Sequence, residues 1–287
     1  MHHLKTKMLF AAAVMALGCP LANAEDDLAS MVSPWSHPTQ FEDPRQTTEV
    51  RTIFVNNAFS DSFVTEGGSA QAYQVHARAK LTDDLSFIVT KFGLISINPD
   101  SSSGLDDETG MSNVDLGFKY TALECASDII TVGLRYALPI GDDDVLEGEG
   151  SGNVNPFLSF GGQKDNINYI LYSGLRQRVD SEDSSFWDLS GHVSYKMDNF
   201  YPFVELNYVH VYEDGTRLDL ADEGNDLINV GSVHAGGTHT LSMAVGARYR
   251  MDEIDFGVGY EFPLDRGRGD GFTDWRVGAD AIYHFDI

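Results

Sequence analysis

The sequence predicts an all-β fold: a transmembrane antiparallel up-and-down β-barrel of about twelve strands behind an N-terminal signal peptide. Three observations carry that expectation. From Thr48 to the end, segments of 10–13 residues alternate apolar and polar side chains. The connections between them alternate strictly between tight and long. The final segment places Trp275, Val277, Ala279, Ala281, Tyr283, Phe285 and Ile287 on one face.

The chain begins with Lys5 and Lys7 ahead of an apolar run, Met8 to Leu17, too short to span a bilayer as a helix. Ala22-Asn23-Ala24 supplies the small-x-small pattern of a cleavage site, so residues 1–24 read as a secretory signal peptide. A lipoprotein reading would use Cys19, but Ala16 stands where that motif needs Leu. Cleavage removes two lysines and no acid, taking the net charge from −25 to −27. So acidic a protein does not bind nucleic acid through phosphates, because that affinity comes from clustered Lys and Arg. Cleavage also leaves Cys125 as a lone cysteine, with no intramolecular disulfide framework. Residues 25–47 hold Pro34, Pro38 and Pro44 without sustained periodicity and read as an irregular periplasmic segment. Residues 48–287 are the expected barrel.

Parity sets the strand faces. Val114, Leu116, Phe118 and Tyr120 alternate with Asn113, Asp115, Gly117 and Lys119. Ile130, Val132, Leu134, Tyr136 and Leu138 alternate with Thr131, Gly133 and Arg135. The same grammar recurs over 241–250 and 254–264, and with less contrast over 68–80, 166–178 and 186–196. Period two with one apolar face signals a half-buried strand. Here the second face carries charge at mid-strand, as expected where alternate residues meet lipid and an enclosed lumen. Segments 48–60, 85–98, 153–162 and 199–212 have mixed parity, so their facing stays open. With 274–287 the strands number twelve.

The tight connections are 81–84, 124–128, 164–166, 197–199 and 251–253; the long ones are 61–68, 99–112, 141–153, 180–185, 213–238 and 265–273. Short turns on one side and long loops on the other is the asymmetry of outer-membrane barrels. An even strand count puts both termini on the periplasmic side. The Tyr283-x-Phe285 ending resembles the terminal strand signal read by the barrel-assembly machinery, with Ile287 in place of the usual last aromatic.

The candidate lumen-lining residues are Arg78, Asp115, Lys119, Arg135, Arg176, Arg178, Asp188, His192, Glu205, Arg248, Arg250, Asp255, Glu261, Arg276 and Asp280. His76, Lys80 and Lys196 share their faces. Charges there must be paired or hydrated. They make either a salt-bridged network that stiffens the wall or a polar conduit that selects solutes. The long loops hold 22 of the 44 acids and three basic residues, Arg217, Arg266 and Arg268. They suit divalent cations beside lipopolysaccharide, or simply a hydrated surface. Asp142-Asp143-Asp144 with Glu147 and Glu149 lacks the ligand spacing of a calcium loop. His234 and His239 lack a third metal ligand. His192-Val193-Ser194 pairs the residues of a hydrolase, but its parity points both into the lumen, away from lipid. No catalytic, cofactor or metal site is expected.

Ser112-Asn113-Val114-Asp115-Leu116-Gly117-Phe118-Lys119-Tyr120, Gly133-Leu134-Arg135-Tyr136 and Leu138-Pro139-Ile140-Gly141-Asp142 resemble segments of the barrels grouped under meta-pathway phenol degradation. Asn155-Pro156-Phe157, Asp226-Leu227-Ile228-Asn229-Val230-Gly231 and Tyr260-Glu261-Phe262-Pro263-Leu264 look like segments of a related group of transporter-like barrels. The similarity runs across most of residues 40–287 and its motifs are structural. It implies uptake of hydrophobic or aromatic compounds and carries over no binding residue. The expectation is a non-enzymatic barrel in a Gram-negative outer membrane that passes or binds small solutes. Its partners would be lipid, lipopolysaccharide and the assembly machinery. A surface-interaction barrel with cation-binding loops is the alternative; a surface hydrolase and a soluble periplasmic β-protein rank behind it.

Overall fold

The computed structural model describes residues 28–101, 106–266 and 272–285. The signal peptide, its cleavage site, Arg268 and Ile287 lie outside the described residues. Thirteen strands form one antiparallel sheet: β1 (Glu49–Phe59), β2 (Gly68–Lys80), β3 (Leu85–Pro99), β4 (Glu108–Met111), β5 (Val114–Glu124), β6 (Asp128–Leu138), β7 (Asn153–Lys164), β8 (Ile167–Arg178), β9 (Ser185–Tyr195), β10 (Phe200–Glu213), β11 (His239–Met251), β12 (Ile254–Asp265) and β13 (Thr273–His284). Neighbours in sequence are neighbours in the wall, and β1 pairs with β13 from Glu49↔His284 to Phe59↔Thr273, which closes the ring. The short β4 covers the outer part of β3 while β5 covers the inner part. The two share one place in the circuit, so the closed barrel is twelve strands around. β4 falls in what reads from sequence as a loop, 99–112. Its four residues carry little alternation to reveal it.

Alternation sorts the side chains as the parity of the clear strands implies. Tyr73 and Val75 on β2, Phe118 and Tyr120 on β5, Leu134 on β6, Leu171 on β8 and Val258 and Tyr260 on β12 all face outward. Closure removes the sheet edges, so the wall's backbone polar groups are paired within it. Tight turns hold the inner rim. Asp165, Asp198 and Asp252 sit at φ of 54°, 54° and 50°, the left-handed region that two-residue hairpin loops need and that Asp tolerates.

The four strands of mixed parity have physical reasons for it. On β3, Lys91 adopts φ 64° within a bulge opposite Val75–Ala77, which flips the phase of the strand. Ser86, Ile88 and Thr90 therefore point inward before it, and Ile95 and Ile97 after it. β1, β7 and β10 instead mix residue types on their inner faces: Arg51 with Ile53 and Val55, Asn155 with Phe157, Glu205 with Phe203 and Val209. An inner face that needs apolar partners breaks a rule built on polarity.

Residues 28–47 are irregular, and they fill the interior, a point the sequence leaves open: Met31, Val32, Trp35, Phe41, Glu42 and Asp43 are buried within the barrel. The segment carries apolar side chains and acids that the inner wall can bury and pair. Cys125, in the turn between β5 and β6, is disulfide-bonded. The expectation of a lone Cys125 concerned the cleaved chain, and the other cysteine, Cys19, lies outside the described residues.

Candidate functional site: an occluded lumen

The lumen is filled from both ends. Residues 28–45 enter from the rim where β1 begins, and the long β10–β11 loop folds in from the other rim. The entering segment is fixed chiefly by charges on the wall. Glu42 accepts hydrogen bonds from Arg78 on β2 at 2.7 and 2.9 Å and from Lys119 on β5 at 3.0 Å, and lies 3.9 Å from Arg135 on β6. Arg135 also donates to the backbone carbonyls of Thr39 and Gln40 and to the Tyr172 hydroxyl, its guanidinium 4.6 Å from the Phe157 ring centroid. On the opposite wall, Arg248 donates to the carbonyls of Ser33 and Pro34 and pairs with Asp280 at 2.8 Å. Arg250 holds the carbonyls of Ala29 and Met31 while pairing with Asp255 at 2.7 Å. Glu205 accepts from the backbone N–H of Trp35 at 2.8 Å and of Ser36 at 2.7 Å, with His192 Nδ1 also 2.7 Å away.

Thirteen of the fifteen candidate lumen residues are buried inside the ring; Arg178 and Arg250, nearer the rims, are partly exposed. Arg176 pairs with Asp188 at 2.8 Å and donates to the carbonyl of Asn225 at 2.7 Å. Arg276 bridges Asp226 at 2.8 Å and Glu261 at 3.2 Å. Arg178 reaches the rim carbonyl of Asp214 and lies 3.6 Å from Glu213. His76 is buried, whereas Lys80 faces solvent beside Asp83 and Lys196 is half-buried.

The inserted segment supplies partners that strand parity could not: His37, Glu42, Asp43 and Arg45, with Arg51, Lys91, Glu147 and Asp226 from β1, β3 and the loops. One signal was available. Among the candidate wall residues eight are Lys or Arg and six are Asp or Glu, an imbalance that a buried acidic insert relieves. Glu42-Asp43 is such an insert.

The β10–β11 loop seals the other end with apolar contacts. Its Leu227, Ile228 and Val230 pack against Ile53 and Val55 of β1, Ala70 and Ala72 of β2, Ile95 and Ile97 of β3, and the rim aromatics Phe59, Phe63 and Phe272. Polar bonds hold the loop down. Glu223 accepts from the N–H of Val230 and Ser232 and from the Ser184 hydroxyl, and Arg217 pairs with Asp183 at 3.1 Å. Burial, against the opposing pull of Arg217, raises the Asp183 carboxyl to about 6, and burial raises Glu223 and Glu147 as well. Several acids of the long loops are thus structural: Glu147 pairs with Lys91 at 2.5 Å, and Asp142 accepts from the N–H of Met111 at 2.7 Å.

Between the two inserts remains a polar cavity of about 40 Å³, lined in part by Gln40, Asp115, Asn153, Asn155, Arg176 and Asp226. That holds a few waters; an engineered cavity that admits benzene measures roughly 150 Å³. The conformation is closed. His192 and Ser194 are both buried inside the wall, and His192 is engaged by Glu205, so the pair has no access to lipid.

Neither a protein-family model nor a curated protein matches the chain. Among solved structures it is similar to the COG4313 outer membrane channel from Pseudomonas putida F1, at 14% identity and TM-score 0.61, over 89% of this chain and 100% of that one. It is also similar to the NanC porin, at 10% identity and TM-score 0.51, over 84% of this chain and 100% of that one. At such identities the likeness is one of fold. The chain has the barrel of outer-membrane channels and porins.

Proposed function

We propose that this barrel is a gated, non-enzymatic outer-membrane channel whose solutes are small and apolar or aromatic. The observation that carries the reading is the inner face of β1–β3. Six inward residues on three adjacent strands, Ile53, Val55, Ala70, Ala72, Ile95 and Ile97, are aliphatic, where a water-filled pore would present polar groups. In the closed state the loop's Leu227, Ile228 and Val230 cover that patch, together with Val145 and the rim aromatics. Once the loop lifts, an apolar solute is the occupant that restores the burial. The resemblance to phenol-degradation barrels supports the same solute class. The remaining parts of the reading are export behind a cleaved signal peptide, delivery through the β13 signal, and residence among lipid and lipopolysaccharide.

The test compares solutes of one size. Proteoliposomes carrying the barrel should take up toluene-like aromatics faster than equally small sugars. Ile95→Asn with Ile97→Asn should cut the aromatic rate by about tenfold, a cost of about 1.4 kcal/mol in barrier, and spare the sugar rate. Faster sugar flux in the wild type, or an aromatic rate untouched by the double substitution, would reject the apolar assignment.

A further inference from the structure

We infer that the entering N-terminal segment and the β10–β11 loop are two halves of one gate, locked together by a four-residue cluster in the barrel interior. His37 sits at the tip of the segment, in a turn where its carbonyl accepts from the N–H groups of Gln40 and Phe41. Its Nε2 lies 2.9 Å from Glu261 of β12 and 3.8 Å from Asp226 of the loop. Arg276 of β13 pairs with the same two carboxylates at 3.2 and 2.8 Å. Asn207 ties the assembly to the segment again, donating to the Ser36 hydroxyl at 2.9 Å and to Glu261 at 3.2 Å. Arg176 holds the neighbouring loop carbonyl of Asn225 at 2.7 Å.

All four members are buried, so none can lose its partner to water cheaply. If the segment leaves alone, Asp226 and Glu261 face each other across a single guanidinium. If the loop leaves alone, Arg276 and His37 crowd the single carboxylate of Glu261. Joint movement avoids both states. Displacement of the loop from outside therefore unseats the segment that fills the other end, and the coupling is reciprocal. The inference rests on the channel reading only for its use, since the coupling is measured with no solute present.

Two trypsin sites report the two halves separately: Arg45 in the segment and Arg217 in the loop, both mostly buried while the gate is shut. In the full-length barrel in nanodiscs, His37→Ala and Asp226→Asn should each speed cleavage at both sites by at least about fivefold. The double variant should be no faster than the faster single one, as expected for residues acting as a unit. His37→Gln, which keeps a donor, should fold like the wild type and restore most of the protection. The inference is overturned if H37A speeds cleavage at Arg45 only and D226N at Arg217 only. Multiplying effects in the double variant, or unchanged rates in folded variants, overturn it too.

Discussion

The two ends of the lumen are closed by different physics. At the β1 end the seal is anchored by ion pairs, with one carboxylate, Glu42, set among Arg78, Lys119 and Arg135 beside the apolar contacts of Met31, Trp35 and Phe41. At the loop end it is aliphatic, with Leu227, Ile228 and Val230 against the inner faces of β1–β3. A buried ionic seat adds little net stability but is costly to break on one side. An apolar seat is non-directional, and any greasy surface of similar shape can replace it. The contrast assigns specificity of seating to the first end and exchangeability to the second.

The largest effect that would break this contrast is at Glu42. Glu42→Ala leaves three cationic groups without their shared carboxylate and should weaken seating of the segment by about 3–5 kcal/mol. Cleavage at Arg45 and single-channel conductance should both rise; a loss of under about 1 kcal/mol would mean that the ionic seat is already hydrated. Next comes the aliphatic seal. Ile228→Ala should loosen the loop by about 2–4 kcal/mol, read as faster cleavage at Arg217, whereas Ile228→Leu should cost little. The smallest effect sharpens the loop end. The Asp183 carboxyl, at about 6, lies above its unfolded value, so closure gains from its protonation. That stabilisation is fully present below about pH 4 and is lost as pH rises through about 6. It amounts to about 1–2 kcal/mol after solvent screening. Cleavage at Arg217 by an acid-tolerant protease of matched activity should therefore slow at low pH. Asp183→Asn should flatten the profile.

Much of the wall was legible in the sequence because an apolar outer face opposite a largely polar interior imposes a two-residue period. The strands with clean parity, such as β5, β6 and β12, face as their apolar residues direct. Legibility failed where the interior ceased to be uniformly polar. Ile53, Ile95 and Val209 point inward because inserts cover them, and inserts come from distant sequence. Lys91 hid a change of phase that only a φ value reveals. For the candidate site, the wall charges could be named from strand parity, but their partners could not. His37, Glu42 and Asp226 lie on stretches without periodicity, and nothing local says which way such a stretch folds.

Seating the segment has a consequence for how the molecule is made. Ser33 and Arg248 are joined across a separation of 215 residues, and Trp35 and Glu205 across 170, while Glu42 meets Lys119 across 77. Contacts of such span cannot form until strands from both halves of the chain exist, and topologies rich in them fold slowly. The interior therefore stays wet through most of assembly, its guanidinium groups solvated, and dries only when β13 meets β1 and the residues ahead of β1 become the last to find their place.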